Sequence, residues 1–405
     1  MSQGPGASIQ ERRTPLYDVH KRMSAEMVQG GGGYMFPLSY TSPMQEHTNT
    51  RTNVGMQDLS SMGEVDIKGP GAERLLNYVL VNEIRDLQPG RLRYSTVCNE
   101  RGGVVDDVTV YKFNDEHFMV VTSSGPRKKT ARWLADHAMG TSTYVTDISG
   151  AIALISVQGP RARDLVKAVL SDADIDALRF FRFSSARCGD TELTVSRSGY
   201  TGELGYELYV PAEEAALVWQ RLLSSGGQFG LLPYGVAAMQ SLRTEKAYPL
   251  YGNDVNEDYT PFHVGLDRWI RFDKPQFVGR DALLEVQERG PDHRWVGLVL
   301  DSAVAASVGD RVSAVGDVVP DAEEIESGPE AGREEDRILP GREPLGQITF
   351  STKGHSVDEM LAMAYVRTSH SWPGAKLVVS VGGRPVPAVV THTPFFDPQG
   401  ARLRG

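Results

Sequence analysis

Apolar and polar positions repeat along this chain at an offset of about 90 residues: VDIKGPGAERLLNYVL from Val65 returns as ISVQGPRARDLVKAVL from Ile155. In each copy an alternating run reaches Gly-Pro and then changes period. Leu75, Leu76, Val79 and Leu80, or Leu165, Val166, Val169 and Leu170, then share one helical face. Both copies therefore read strand, tight turn, helix. A matching strand start follows each, Arg93-Tyr94-Ser95 and Arg182-Phe183-Ser184, and each leads into a hairpin. The first hairpin, RYSTVCNERGGVVDDVTVYKF, turns at Asn99 to Gly103, whereas in the second, ELTVSRSGYTGELGYELYV, a Gly-rich loop from Ser198 to Gly205 intervenes. The pattern predicts an internal duplication, about 55–145 and 146–235, and an α+β fold of two related α/β halves packed together.

The ends differ from this body. Residues 1–14 are rich in Gly, Ser, Gln and Arg and predict a flexible leader, followed by a helix over Pro15 to Val28 that the run Gly30 to Gly33 breaks. Further helices are expected over Gly235 to Ala247 and just after Gly279. The main domain then spans 15–290. From 291 to 405 short strands such as HRWVGLVLDS, PLGQITFST and AKLVVSVGG predict a small β-barrel domain. The acidic stretch Asp321 to Asp336 within it predicts a solvated loop.

At 405 residues the chain exceeds what one hydrophobic core supports. Its net charge of -10 argues against a nucleic-acid partner. Two distant cysteines, Cys98 and Cys188, suggest neither a disulfide framework nor a thiolate metal site. The N-terminus has no signal-peptide core, and no stretch has the length of a membrane span, so the expected location is the cytoplasm, with no membrane partner.

No histidine pattern fits a metal, the Gly30 run lacks the order of a dinucleotide loop, and neither G-x-S-x-G nor a P-loop occurs. What remains is acidic and aromatic. Asp106 and Asp107 are consecutive on an expected strand, so at most one faces any given pocket, and the other is expected to be solvated or to cap a turn. Tyr200, Glu203 and Glu207 lie in or beside the second Gly-rich loop. Turn and strand chemistry alone accounts for all five residues, and their spacing identifies no ligand.

A distributed set of segments goes further. TPLYDVH, MFPLSYTSPMQEH, RTNVGMQDLSSMGEVDIKGPGA, RYSTVCNERGGVVDDVTVY, VQGP, SGYTGELGYELYV, LRTEKAYPLYGNDV, FVGRDAL, GQITFSTKGHSVDEMLAMAYV and THTPFFDPQG occur in the order found in the glycine-cleavage T-protein (aminomethyltransferase) family, which the chain resembles over nearly its whole length. The resemblance implies two related halves and a C-terminal β domain around a central folate cavity. It also implies tetrahydrofolate-dependent transfer of an aminomethyl, methylene or methyl group. By carry-over, the second Asp of G-G-x-x-D-D, Asp107, is the catalytic carboxylate. Glu207 then meets the pterin donor edge and Tyr94 and Tyr200 wall the ring, with Thr109, Tyr111 and Arg243 completing the folate-binding set. No metal is implied.

The chain departs from the family at three places. Ser61 replaces the His of S-H-M-G, Met239 replaces the arginine of G-A-R-D, and Thr122 replaces an Asn of V-V-N; Arg243, one helical turn beyond Met239, is the candidate replacement. SLRTEKAY and PFFDPQG look more like the folate domains of dimethylglycine and sarcosine dehydrogenases. The implied partners are folate and a small one-carbon donor, delivered free, by a lipoyl carrier protein or by a separate flavin dehydrogenase. A non-catalytic folate-binding protein is the alternative, although its Cys-bearing K-G-C-Y/F-x-G-Q-E signature is absent.

Overall fold

The computed structural model describes residues 11–315 and 343–404. After helix α1 (Tyr17–Arg22) come strands β1 (Glu26–Gln29) and β2 (Met35–Ser39), then α2 (Pro43–Thr52), β3 (Val54–Asp58), β4 (Gly63–Lys68) and α3 (Ala72–Val79). Strands β5 (Arg91–Cys98), β6 (Val104–Asn114) and β7 (His117–Thr122) precede α4 (Arg127–Ala138) and β8 (Tyr144–Asp147). The second half runs β9 (Ile152–Gln158), α5 (Ala162–Val169), β10 (Phe183–Cys188), β11 (Thr191–Ser196), β12 (Gly205–Pro211), α6 (Ala215–Gly226), β13 (Leu231–Pro233), α7 (Val236–Glu245) and α8 (Arg280–Arg289).

The repeat seen in the apolar pattern has a counterpart in strand order. One sheet runs β5-β6-β7-β4-β8, and the other runs β10-β11-β12-β9-β3-β13. At each Gly-Pro the turn closes against backbone: a Cβ on Gly69 would lie 2.4 Å from Ser142 O, and one on Gly159 2.4 Å from Asn53 O. Both glycines have positive φ, so only glycine makes these turns without strain. Val65 and Ile67 of β4 bury with Leu75, Leu76 and Val79 of α3, just as Ile155 and Val157 of β9 bury with Leu165 and Val166 of α5. Each such side chain contributes about 1.5–3 kcal/mol by leaving water.

With their outer faces taken by helices, the sheets meet through their inner faces. Leu92, Tyr111, Met119 and Val121 of the first pack against Leu154, Phe183 and Tyr209 of the second. Edge strands β5 and β10 are stitched at this seam by Leu92 N donating to Phe181 O (3.1 Å) and Phe183 N to Gly90 O (3.0 Å).

Strands β14 (His293–Leu300), β15 (Arg311–Ala314), β16 (Gly346–Gly354), β17 (Glu359–Arg367), β18 (Lys376–Val381) and β19 (Arg384–Thr391) form a closed barrel in the order β14-β17-β16-β15-β18-β19. The Tyr365 hydroxyl donates to Asp254 O (2.6 Å) and Ser356 N to Glu245 Oε1 (2.6 Å), which dock the barrel on the segment that follows α7 and on α7 itself. The short helix α9 (Ala401–Arg404) ends the described chain. Among the described residues no helix is long and apolar enough to cross a membrane.

Two expectations about the N-terminal segment are corrected. The helix expected over Pro15 to Val28 stops at Arg22, and Glu26–Gln29 is a strand paired with Met35–Ser39. The Gly30 to Gly33 run is the turn of this hairpin, so it shapes strands rather than ending a helix. The end of the expected leader is anchored, because Thr14 is buried and its hydroxyl donates to Asp58 Oδ2 at 2.6 Å. Residues 1–10 of that leader and the acidic loop 321–336 lie outside the described residues.

Candidate active site

Strand alternation sorts the side chains of β6. Asp107, Thr109 and Tyr111 point to the inner face, while Asp106, Val108 and Val110 point toward the helices. Cross-strand pairing puts Tyr94 of β5 beside Thr109 and Thr109 beside Val121 of β7, so Tyr94 and Thr109 share one row of that face. The Tyr94 hydroxyl donates to Asp107 Oδ2 (3.0 Å), and Ser123 Oγ donates to Oδ1 (3.1 Å). Burial pushes the Asp107 carboxyl up, and the Tyr94 and Ser123 hydrogen bonds pull it back. Burial, and then the neighbouring Asp107 charge, hold the Tyr94 phenol well above its ordinary value, so it remains the donor.

The neighbouring carboxylate is neither solvated nor a turn cap, contrary to the expectation for one of the pair. Asp106 is 0 % exposed, accepts from Thr130 Oγ1 at 2.7 Å, and lies under α4. Alternation sends it to a face that the helix covers, and no wet face exists there. Burial, with the adjacent Asp107 charge, holds its carboxyl well above the usual range.

From the second sheet, Glu207 and Tyr209 of β12 turn inward, opposite to Tyr206 and Leu208, which enter the outer core. Glu207 Oε2 accepts from Ser198 Oγ (2.5 Å), Ser198 lies 2.7 Å from Ser196 Oγ, and Ser196 lies 3.0 Å from the Tyr111 hydroxyl. Tyr111 also reaches the Tyr209 hydroxyl at 2.8 Å. This hydroxyl chain joins the two sheets. It leaves Tyr111, fully buried and committed to these partners, as a residue that holds the sheets together rather than one that faces a ligand.

Tyr200, in the Gly-rich loop, donates to Pro249 O (2.7 Å) and stacks on Tyr248 with centroids 5.8 Å apart. The loop presses on β9: a Cβ on Gly205 would meet Gln158 Oε1 at 2.2 Å. Glu203 belongs elsewhere, since it is buried and paired with Arg51 (3.0 Å) and Arg402 (2.7 Å). Arg243 is 0 % exposed and locked to Asp254 (2.6 Å), with its guanidinium over Phe350, so it anchors the barrel more than it replaces a missing arginine. Its Nη2 is nevertheless buried without a partner among the described residues. Met239, at the family arginine position, packs against the cluster of Tyr234 and Leu242. Ser61, at the family histidine position, lies 2.8 Å from Ser124 Oγ.

Ser123, Ser198, Tyr248 and Trp269 join the site without a sequence signal that singles them out. Trp269 sets its ring edge-on to Tyr94 at 5.8 Å. Hydroxyls that serve a carboxylate, and aromatics from a loop distant in sequence, are visible only once the chain is folded. A flat heterocycle with a donor edge needs aromatic walls and a buried acceptor. Tyr94, Tyr200 and Glu207 have that chemistry, and the unpartnered Arg243 Nη2 leaves one donor for a ligand, so the residues present fit folate.

Comparison with known proteins agrees with this arrangement. The GCVT N-terminal domain model matches residues 16–274, and the glycine cleavage T-protein C-terminal barrel domain model matches 324–397. An aminomethyltransferase of Streptomyces coelicolor is 36% identical over 97% of this chain and 100% of its own length. One of Halothermothrix orenii is 32% identical over 95% and 100%. The crystal structure of glycine cleavage system aminomethyltransferase T from Bartonella henselae superposes with a TM-score of 0.84 at 27% identity, covering 96% of this chain and 99% of that one. On its sequence, its folded halves and its barrel, the chain belongs to the glycine-cleavage T-protein (aminomethyltransferase) family.

Proposed function

We propose that this chain moves a one-carbon unit from an amine or methylated donor to tetrahydrofolate in the cleft between the sheets, with Asp107 as the proton-handling carboxylate. The observation that carries the reading is the Tyr94–Asp107 hydrogen bond on the inner face of one sheet, with Glu207 on the inner face of the sheet that packs against it. Tetrahydrofolate supplies the nucleophilic ring nitrogens. The chain supplies the rest. A carboxylate whose pKa burial raises is a better proton acceptor than one in water, and in a low-dielectric cleft its charge favours positive charge developing on the donor. Tyr94 and Ser123 fix its two oxygens, Glu207 offers an acceptor to the pterin donor edge, and Tyr200 and Thr109 shape the walls.

The same reading assigns the cleft to residues 15–290 and the docked barrel to 291–405, and places the enzyme in the cytoplasm, where the free, buried Cys98 and Cys188 stay reduced. The three departures at Ser61, Thr122 and Met239 favour a donor other than the aminomethyl group of glycine cleavage, which makes demethylation of an N-, S- or O-methyl compound the reaction to test first. The protein is incubated with tetrahydrofolate and, in turn, a lipoyl-bound aminomethyl group and methylated amines, sulfur and oxygen compounds. Appearance of 5,10-methylene- or 5-methyltetrahydrofolate with one of them is expected. Absence of turnover with all of them overturns the proposal.

A further inference from the structure

We infer that the segment after the last barrel strand, 394–404, is a strap that sets the Gly-rich loop of the cleft, with Arg402 as a positioning residue for Tyr200. For what that loop faces, this rests on the one-carbon transfer reading. The loop carries Tyr200, and its first residue, Ser198, holds Glu207 (2.5 Å), so its placement governs two of the groups assigned to the pterin. Gly199, Gly202 and Gly205 give its backbone freedom. Contacts from outside the loop therefore decide where Tyr200 stands.

The strap reaches the loop at both ends. Arg402 Nε donates to Glu203 Oε1 (2.7 Å), and Arg197, the residue before Ser198, donates through Nη2 to Arg404 O. Arg402 Nη2 also donates to Arg51 O, while Arg51 Nη1 holds Thr201 O (2.7 Å) and Glu203 Oε1 (3.0 Å). The Arg51 guanidinium lies over the Phe396 ring at 4.5 Å, and that of Arg402 at 5.6 Å. The side chains of Arg51, Glu203, Lys246 and Asp397 are at most 9 % exposed, so water screens their charges little.

The same segment holds the tyrosine that stacks on Tyr200. Lys246 is buried, and its Nζ donates to Phe396 O (3.0 Å) and Asp397 O (2.7 Å). Its stem fills the space beside the loop, where a Cβ on Gly202 would lie 2.4 Å from Lys246 Cγ. Ala247 then takes φ 49, in the left-handed region that a residue with a Cβ rarely adopts, and Tyr248 follows, stacked on Tyr200. Asp397 closes the strap on itself by accepting from Ala401 N (3.0 Å) and Arg402 N (3.2 Å).

Arg402→Gln removes a guanidinium from a partly exposed position and leaves Glu203 its pair with Arg51, so the fold should survive. Full-chain wild type, Arg402→Gln and Arg402→Lys are compared by hydrogen exchange of the 198–205 amides, with those of β4 as reference, and by calorimetric titration with folinic acid. In Arg402→Gln the loop is expected to exchange on the order of tenfold faster with β4 unchanged, and folinic acid to bind about tenfold more weakly. Arg402→Lys keeps a charged donor for Glu203 and should recover part of both. Loop exchange or folinic acid binding that is unchanged in Arg402→Gln, or exchange that quickens equally in β4, overturns the strap. Failure of the wild type to bind folinic acid counts against the folate reading alone, and loop exchange then decides the strap by itself.

Discussion

The Tyr94 hydroxyl donates to Asp107 Oδ2 at 3.0 Å from the neighbouring strand, and Ser123 Oγ holds the other oxygen at 3.1 Å. These hydrogen bonds favour the ionised carboxylate against the burial that opposes it. Removing the charge while keeping the shape tests its role. Asp107→Asn is expected to lower turnover on the order of 100-fold or more, with folate binding retained. Turnover near wild type in a folded Asp107→Asn protein rules Asp107 out.

Tyr94→Phe removes one hydrogen bond to the ionised form and leaves the charge. The Asp107 carboxyl then titrates at higher pH, so the acidic limb of the kcat/KM profile should move upward. An unmoved limb would mean that another group sets it.

Asp106 makes the opposite case. Its folded carboxyl is raised above the ordinary 3.8 by burial and by Asp107, so its contribution to stability is full below that value and is lost as pH rises toward the raised one. Asp106→Asn mimics the protonated form. It should flatten this loss, leaving the variant as stable as wild type in acid and more stable at neutral pH, with turnover changed far less than by Asp107→Asn. Thermal denaturation across pH reads this directly.

Arg243 and Asp254 are both 0 % exposed, and Asp254 also accepts from Thr349 of the barrel. Arg243→Ala leaves a buried carboxylate without its cation and should cost about 3–5 kcal/mol. Replacing both by apolar residues of similar volume should recover most of it. Denaturant unfolding of the two proteins decides whether this pair holds the barrel to the body.

A ligand that binds only the native state adds about 2.7 kcal/mol at a hundredfold excess over its dissociation constant. Folinic acid should therefore raise the melting temperature, and NAD and ATP should not. Equal, negligible shifts for all three count against a folate cleft.

The sequence by itself determined the parts that depend on local periodicity. The repeated strand, Gly-Pro turn and helix at Val65 and Ile155 were legible because apolar period changes from two to 3.6 across a turn that admits only glycine. The barrel strands were legible for the same reason, and the motif around Asp107 marked the family. Alternation also established that Asp106 and Asp107 part company. Which face was wet was not local information, and only the packing of α4 over Asp106 decided it. Glu26 to Val28 reads as the end of a helix because the partner that makes it a strand, Met35–Ser39, lies beyond a glycine turn. Arg243 looked available because its partner Asp254 is 11 residues away in a loop. Arg91 and Arg182 come from the matching strand starts of the two copies, and only the meeting of two sheet edges puts them side by side. Periodicity tells a chain which side of an element is apolar, whereas what covers that side, and so what each buried charge meets, is fixed by contacts between residues far apart in sequence.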